Sequence, residues 1–115
     1  MNVLGYRYVT VSEHSMEMAD FFQNKLGIPN GREETADNQG GVFTAGDSQL
    51  EFWRKSDCMP ESVMLQLIVD DADEFAEFAS ARGIKLDGPM FEQGEKIYAL
   101  TAPDGMPLTI HSAAD

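Results

Sequence analysis

Alternation between apolar and polar positions divides the chain into short strands and two helical stretches. Tyr8-Val9-Thr10-Val11-Ser12-Glu13 alternates with the two-residue period of a half-buried strand. From Ser15 to Leu26, Met18, Phe21, Phe22 and Leu26 recur at helical spacing, and Gly27 closes the segment as a residue suited to the left-handed turn after a helix. The same order returns later in the chain. Met64-Leu65-Gln66-Leu67-Ile68-Val69 reads as a strand, and Asp71 to Arg82 sets Phe75, Phe78, Ala79 and Arg82 on one helical face before Gly83.

Each helix is followed by two strand-like stretches joined by turn residues. These are Gly41–Thr44 and Gln49–Trp53 around Ala45-Gly46-Asp47-Ser48, then Ile97–Thr101 and Leu108–His111 around Ala102-Pro103-Asp104-Gly105. A weaker strand precedes each pair, near Arg32 to Thr35 and near Ile84 to Leu86. Val11 to Val69 is 58 positions, as is Leu50 to Leu108, and Gly27 to Gly83 is 56. A repeat at nearly constant offset predicts an α+β fold of two tandem βαβββ modules. Module 1 covers about 1–57 and module 2 about 58–115 of a single domain, 1–115, with Ser56–Glu61 as the joint.

Strand parity then sorts the side chains. Val9, Val11, Leu50, Phe52, Leu65, Leu67, Val69, Leu108 and Ile110 form the set expected to face the helices, together with the helix residues Met18, Phe21, Phe22, Phe75 and Phe78 as core. The opposite face carries Tyr6, Tyr8 and Thr10, then Gln49, Glu51 and Trp53, then Met64, Gln66 and Ile68, then Pro107, Thr109 and His111. Large aromatics mixed with a few hydrogen-bonding groups suit a small-molecule cavity or a subunit interface better than a solvated sheet face. Met16, Met59, Met90 and Met106, near loops or helix ends, suit an adaptable rim or the filling of gaps.

Charge narrows the partners. Eight Lys and Arg against twenty Asp and Glu give a net charge of -12 among 115 residues, which repels nucleic acids and anionic membranes. A cationic ligand is favoured wherever carboxylates line a cleft. Cys58 is the only cysteine, so no intrachain disulfide forms, and its flanks do not activate it. The first residues lack a basic stretch followed by a long apolar run, which predicts a cytoplasmic protein without a membrane span.

The order of elements resembles the vicinal oxygen chelate superfamily, which includes glyoxalases, extradiol dioxygenases, fosfomycin-resistance enzymes and bleomycin-binding resistance proteins. The resemblance spans nearly the whole chain. Its carriers are Tyr8–Glu13 before Ala19–Ile28, Leu50-Glu51-Phe52, Leu67–Asp71 and Thr101–Leu108. It implies a half-open, strongly curved mixed sheet of the glyoxalase/bleomycin-resistance type, and a homodimer.

Metalloenzymes of that superfamily draw ligands from the first and last strand of each module. Those sites fall here on Tyr6, Met64, Glu51 and Thr109, of which only Glu51 is a usual ligand. His111 shares the face of Thr109, while His14 begins the first helix as a surface or capping residue. No metal and no other cofactor is therefore expected. The expected function is binding of a small aromatic or cationic compound by Tyr6, Tyr8, Glu51, Trp53, Met64, Gln66, Thr109 and His111. The alternative is a glyoxalase-like lyase, isomerase or dioxygenase with a displaced metal site that uses Glu51; without a metal, Glu51 is the candidate general base, with Tyr6 or His111 as acid.

Overall fold

A computed structural model describes residues 1–31 and 40–114. The strand expected near Arg32 to Thr35 falls outside the described residues. Contacts divide the chain into an N-terminal unit, Arg7–Val63, and a C-terminal unit, Met64–Asp115 together with Met1–Tyr6. The fold is mixed α+β, with seven strands and two α-helices among the described residues.

The N-terminal unit contains β1 (Val3–Ser12, from Arg7 onward), α1 (Ser15–Asp20), a π-helical turn (Phe21–Lys25), β2 (Gly40–Ala45) and β3 (Ser48–Arg54). Its strands lie in the order β2-β3-β1, with β3 antiparallel to β2 and parallel to β1. Gly40 permits the first of these pairings, because a Cβ there would sit 1.7 Å from the Phe52 carbonyl oxygen. The continuous helix expected over Ser15 to Leu26 changes form after Asp20. The Leu26 N–H reaches back to the Phe21 carbonyl at 3.0 Å, a five-residue spacing that widens the turn. Phe22 is seated over Phe52 with ring centroids 5.1 Å apart, in a core that includes Ala19, Phe43, Ile28 and Leu50. Met18 and Phe21, expected in the core, are exposed instead: α1 buries the face of Ser15 and Ala19, and the wide turn directs Phe22 rather than Phe21 inward. His14 caps α1 without a side-chain cap bond, and its ring pairs with Glu17, which raises its pKa.

The C-terminal unit contains β4 (Ser62–Val69, from Met64), α2 (Ala72–Ser80), β5 (Asp87–Glu92), β6 (Glu95–Thr101) and β7 (Pro107–Ala113). The order is β4-β7-β6-β5, with β4 and β7 parallel and the other pairs antiparallel. Asp71 caps α2 by accepting the Glu74 N–H at 3.2 Å, while Ser112 on β7 accepts the Ala72 N–H at 3.1 Å. Gly27 and Gly83 take positive φ values of 75° and 84° after their helices, where a Cβ would be strained. Val69, Ala72 and Ile110 form the core with Leu67, Phe75, Leu86, Tyr98 and Leu100 packed on it. Phe78 is exposed rather than core, with the Arg82 guanidinium 3.4 Å above its ring.

Ile84 to Leu86 is not a strand. Leu86 turns into the core, and pairing starts only at Asp87, so β5 includes Gly88-Pro89 and runs into a tight hairpin. Gln93 and Gly94, with φ of 48° and 78°, make the turn that matches the twist of paired strands. Among the described residues no helix is long and apolar enough to cross a membrane.

Candidate ligand-binding site

Register on β7 brings the site together. Ile97 faces His111, Ala99 faces Thr109 and Met90 faces Ile97, while on the other side Gln66 faces Thr109 and Ile68 faces His111. Residues paired in this way share a face. Met64, Gln66, Met90, Glu92, Ile97, Thr109 and His111 line a half-open cleft of about 190 Å³ there. The intervening residues Lys96, Tyr98, Ile110 and Ser112 point to the α2 side.

His111 is buried, at 4% exposure, and both its ring nitrogens are engaged. Nδ1 lies 3.2 Å from Glu95 Oε1, and Nε2 lies 2.7 Å from Thr109 Oγ1. A carboxylate can only accept, so the proton of a neutral imidazole sits on Nδ1, and the Nε2 lone pair accepts the Thr109 hydroxyl. Gln66 donates from Nε2 to the Met64 sulfur at 3.8 Å on the same wall. Glu92 and Glu95 face each other across the β5–β6 hairpin, which gives this end of the cleft a negative character.

Four of the residues singled out from sequence, Met64, Gln66, Thr109 and His111, therefore lie together. Tyr6 is exposed and does not line that cleft. The other three belong to the N-terminal unit, where Glu51 Oε1 accepts the Trp53 indole N–H at 3.0 Å. Tyr8 lies on the opposite face from these two. It pairs with Leu50 and Thr10 pairs with Phe52 on the helix side, while Val9 pairs with Glu51 and Val11 with Trp53. The expected parity of β1 is thus reversed, and the reason is a one-residue slip in the repeat. By register Val9 corresponds to Gln66, 57 positions on, whereas Glu51 corresponds to Thr109, 58 positions on. A shift of one residue exchanges the two faces of a strand. Arg7, register partner of Gln49, accordingly shares the face of Glu51.

Sequence reasoning missed Glu92, Glu95 and Ile97. Ile97 stood in an expected strand, and extending its alternation back by two residues reaches Glu95.

No protein-family model matches the sequence, and no curated protein matches it either. Solved structures do match. Methylmalonyl-CoA epimerase from Mycobacterium tuberculosis superposes with a TM-score of 0.71 at 15% identity, covering 98% of this chain and 90% of that one. A glyoxalase/bleomycin resistance protein/dioxygenase superfamily member from Vibrio splendidus 12B01 gives 0.66 at 15% identity, covering 93% and 97%. The fold is that of the vicinal oxygen chelate superfamily. A Streptomyces coelicolor methylmalonyl-CoA epimerase variant in complex with 2-nitronate-propionyl-CoA gives 0.68 at 15% identity, covering 100% and 99%.

Metal binding in the superfamily manner can be tested on the donor set of this vicinal oxygen chelate fold. Beside Glu51 on the neighbouring first strand stands Val9, and beside Thr109 stands Gln66. Glu51 is held by the Trp53 indole, and Arg7 puts a fixed positive charge on its face. Among the described residues no three His, Cys, Asp or Glu side chains cluster to hold an ion. These residues do not fit a divalent metal, which needs several oxygen or imidazole ligands converging on one point.

Proposed function

We propose that the protein binds a small organic molecule in the cleft around His111, without a metal, and that it favours cationic over anionic compounds. The observation that carries this is the lining. Two thioethers and an isoleucine provide an apolar wall, and Gln66, Thr109, His111 and Glu92 supply a few convergent polar groups. Among the described residues no lysine or arginine lines the cleft, and the carboxylates at its end attract positive charge. We further propose a homodimer as the working form. Its support is β5, exposed along its whole length at the edge of the C-terminal strand set, with Phe91 63% exposed.

Thermal unfolding of chelator-treated protein tests the binding proposal, with benzyltrimethylammonium, benzoate and divalent metals added in turn. A ligand at a hundred times its dissociation constant stabilises by about 2.7 kcal/mol. The expected result is an upward shift with benzyltrimethylammonium that is lost in Met90→Trp, which fills the rim, and weakened in Glu92→Gln. A larger shift with benzoate, or a shift with stoichiometric metal, overturns the reading.

A further inference from the structure

We propose that Thr109, His111 and Glu95 form a nucleophile, base and positioning group that transfers short acyl groups from esters or thioesters to water. The proposal rests on the reading of the cleft as a small-molecule site and adds a reaction to it.

Three observations converge. The Thr109 hydroxyl lies 2.7 Å from His111 Nε2, close enough to give up its proton to the ring. His111 Nδ1 lies 3.2 Å from Glu95 Oε1, a bond that fixes the tautomer with its lone pair on the Thr109 side and stabilises the cation formed when the ring takes a proton. Thr109 also lines the cleft, so its oxygen borders the space a ligand would fill. The backbone enforces this order. Thr109 and His111 are two apart on β7 and share a face, and Glu95 lies diagonally across the β6–β7 pair, opposite Ala113. The hairpin end that carries Glu95 is pinned by the Ala114 N–H, which donates to the Gly94 carbonyl at 2.8 Å.

The chemistry balances with water as the only co-reactant. Thr109 Oγ1 attacks the carbonyl carbon while its proton passes to His111 Nε2. The tetrahedral adduct collapses, the bond from carbon to the leaving oxygen or sulfur breaks, and the same proton passes to the leaving group. Water then attacks the acyl-threonine, giving one proton to His111, which returns it to Thr109 as the acid departs. Gln66, register partner of Thr109, carries its amide on the same wall, and exchanging the bond to the Met64 sulfur for one to the negative oxygen of each adduct supplies a donor there. A cleft of about 190 Å³ with thioether walls suits an acyl chain of a few carbons.

The test uses the intact protein with p-nitrophenyl acetate, following release of p-nitrophenolate and locating the acetyl group by peptide mass spectrometry. The expected result is an initial burst and acetylation of Thr109. Thr109→Ala abolishes both, whereas Thr109→Ser, with a less hindered hydroxyl, retains them. His111→Gln slows acylation by about a hundredfold or more. Glu95→Gln lowers kcat while leaving KM unchanged, a split that simple loosening of the cleft would not give. Acetyl found only on the exposed Cys58 or on lysines overturns the proposal, as does a burst unchanged in Thr109→Ala. Stabilisation by p-nitroacetanilide, the amide counterpart, reports separately on occupancy of the cleft. A shift without acyl-threonine removes the reaction and leaves the binding site standing.

Discussion

Asp73 receives two donors at once, the Lys96 ammonium at 2.6 Å and the Tyr98 hydroxyl at 2.5 Å. The bond from Lys96, then that from Tyr98, holds the Asp73 carboxyl below its ordinary range. The bond to Asp73, then burial, pushes the Tyr98 phenol up to about 12. The signs are opposite. The contribution of Asp73 is complete above its unfolded pKa of 3.8 and is lost as pH falls through the depressed folded value. That of Tyr98 is complete below its unfolded pKa of 10.0 and is lost as pH rises toward about 12. The tie between α2 and β6 therefore works between these limits. Alkaline absorbance titration should show one of the three tyrosines ionising later than the others. Tyr98→Phe should remove that late step, and Asp73→Asn should move it back toward the ordinary range. A late step that persists in Tyr98→Phe would falsify the assignment. At this scale the cleft face of β4 was legible, because Leu65, Leu67 and Val69 contrast sharply with Met64 and Gln66. Tyr8 was not, since Tyr8 and Thr10 are about as suited to partial burial as Val9 and Val11, and alternation alone does not say which set meets the helix.

Between elements, one core residue can be set against its neighbour on the surface. Phe43, with 0% exposure, packs on Phe22 and Phe52, whereas Phe21 is 45% exposed and makes only an edge contact with Phe22. Phe43→Ala should cost about 3–5 kcal/mol, the range for emptying a buried aromatic site. Phe21→Ala should cost about 1 kcal/mol, the value of a single ring–ring contact. Urea unfolding of the two variants checks this, and equal losses would mean that Phe21 is packed as deeply as Phe43 rather than turned to the surface. Helical periodicity revealed the segment but not the turn, because widening by one residue keeps the apolar positions near one face while changing which aromatic is inside. β5 was displaced for a different reason. Asp87-Gly88-Pro89-Met90-Phe91-Glu92 has no alternation and carries two strand breakers, so its pairing comes from the Gln93-Gly94 turn and from β6 rather than from its own pattern.

Over the whole molecule, charge opposes both compaction and association. The twenty acidic residues divide equally between positions 1–63 and 64–115, with five basic residues in the first stretch and three in the second, so neither half neutralises the other. Self-repulsion of this kind is screened by salt, as the Debye length falls from about 30 Å at 0.01 M to about 10 Å at 0.1 M ionic strength. Raising NaCl over that range should therefore raise Tm. One kcal/mol corresponds to roughly 4 °C in a domain of this size, so even partial relief is measurable. The proposed homodimer is subject to the same force, because two bodies of charge -12 must approach. If apolar contact at strand edges drives pairing, sedimentation velocity should show the dimer fraction increasing with NaCl at fixed protein concentration. A dimer that dissociates as salt rises would mean that complementary charges hold it, and the edge of β5 would lose its claim. A monomer at every ionic strength and at high protein concentration would remove the homodimer while leaving the cleft around His111 intact, since every residue assigned to that cleft comes from one chain.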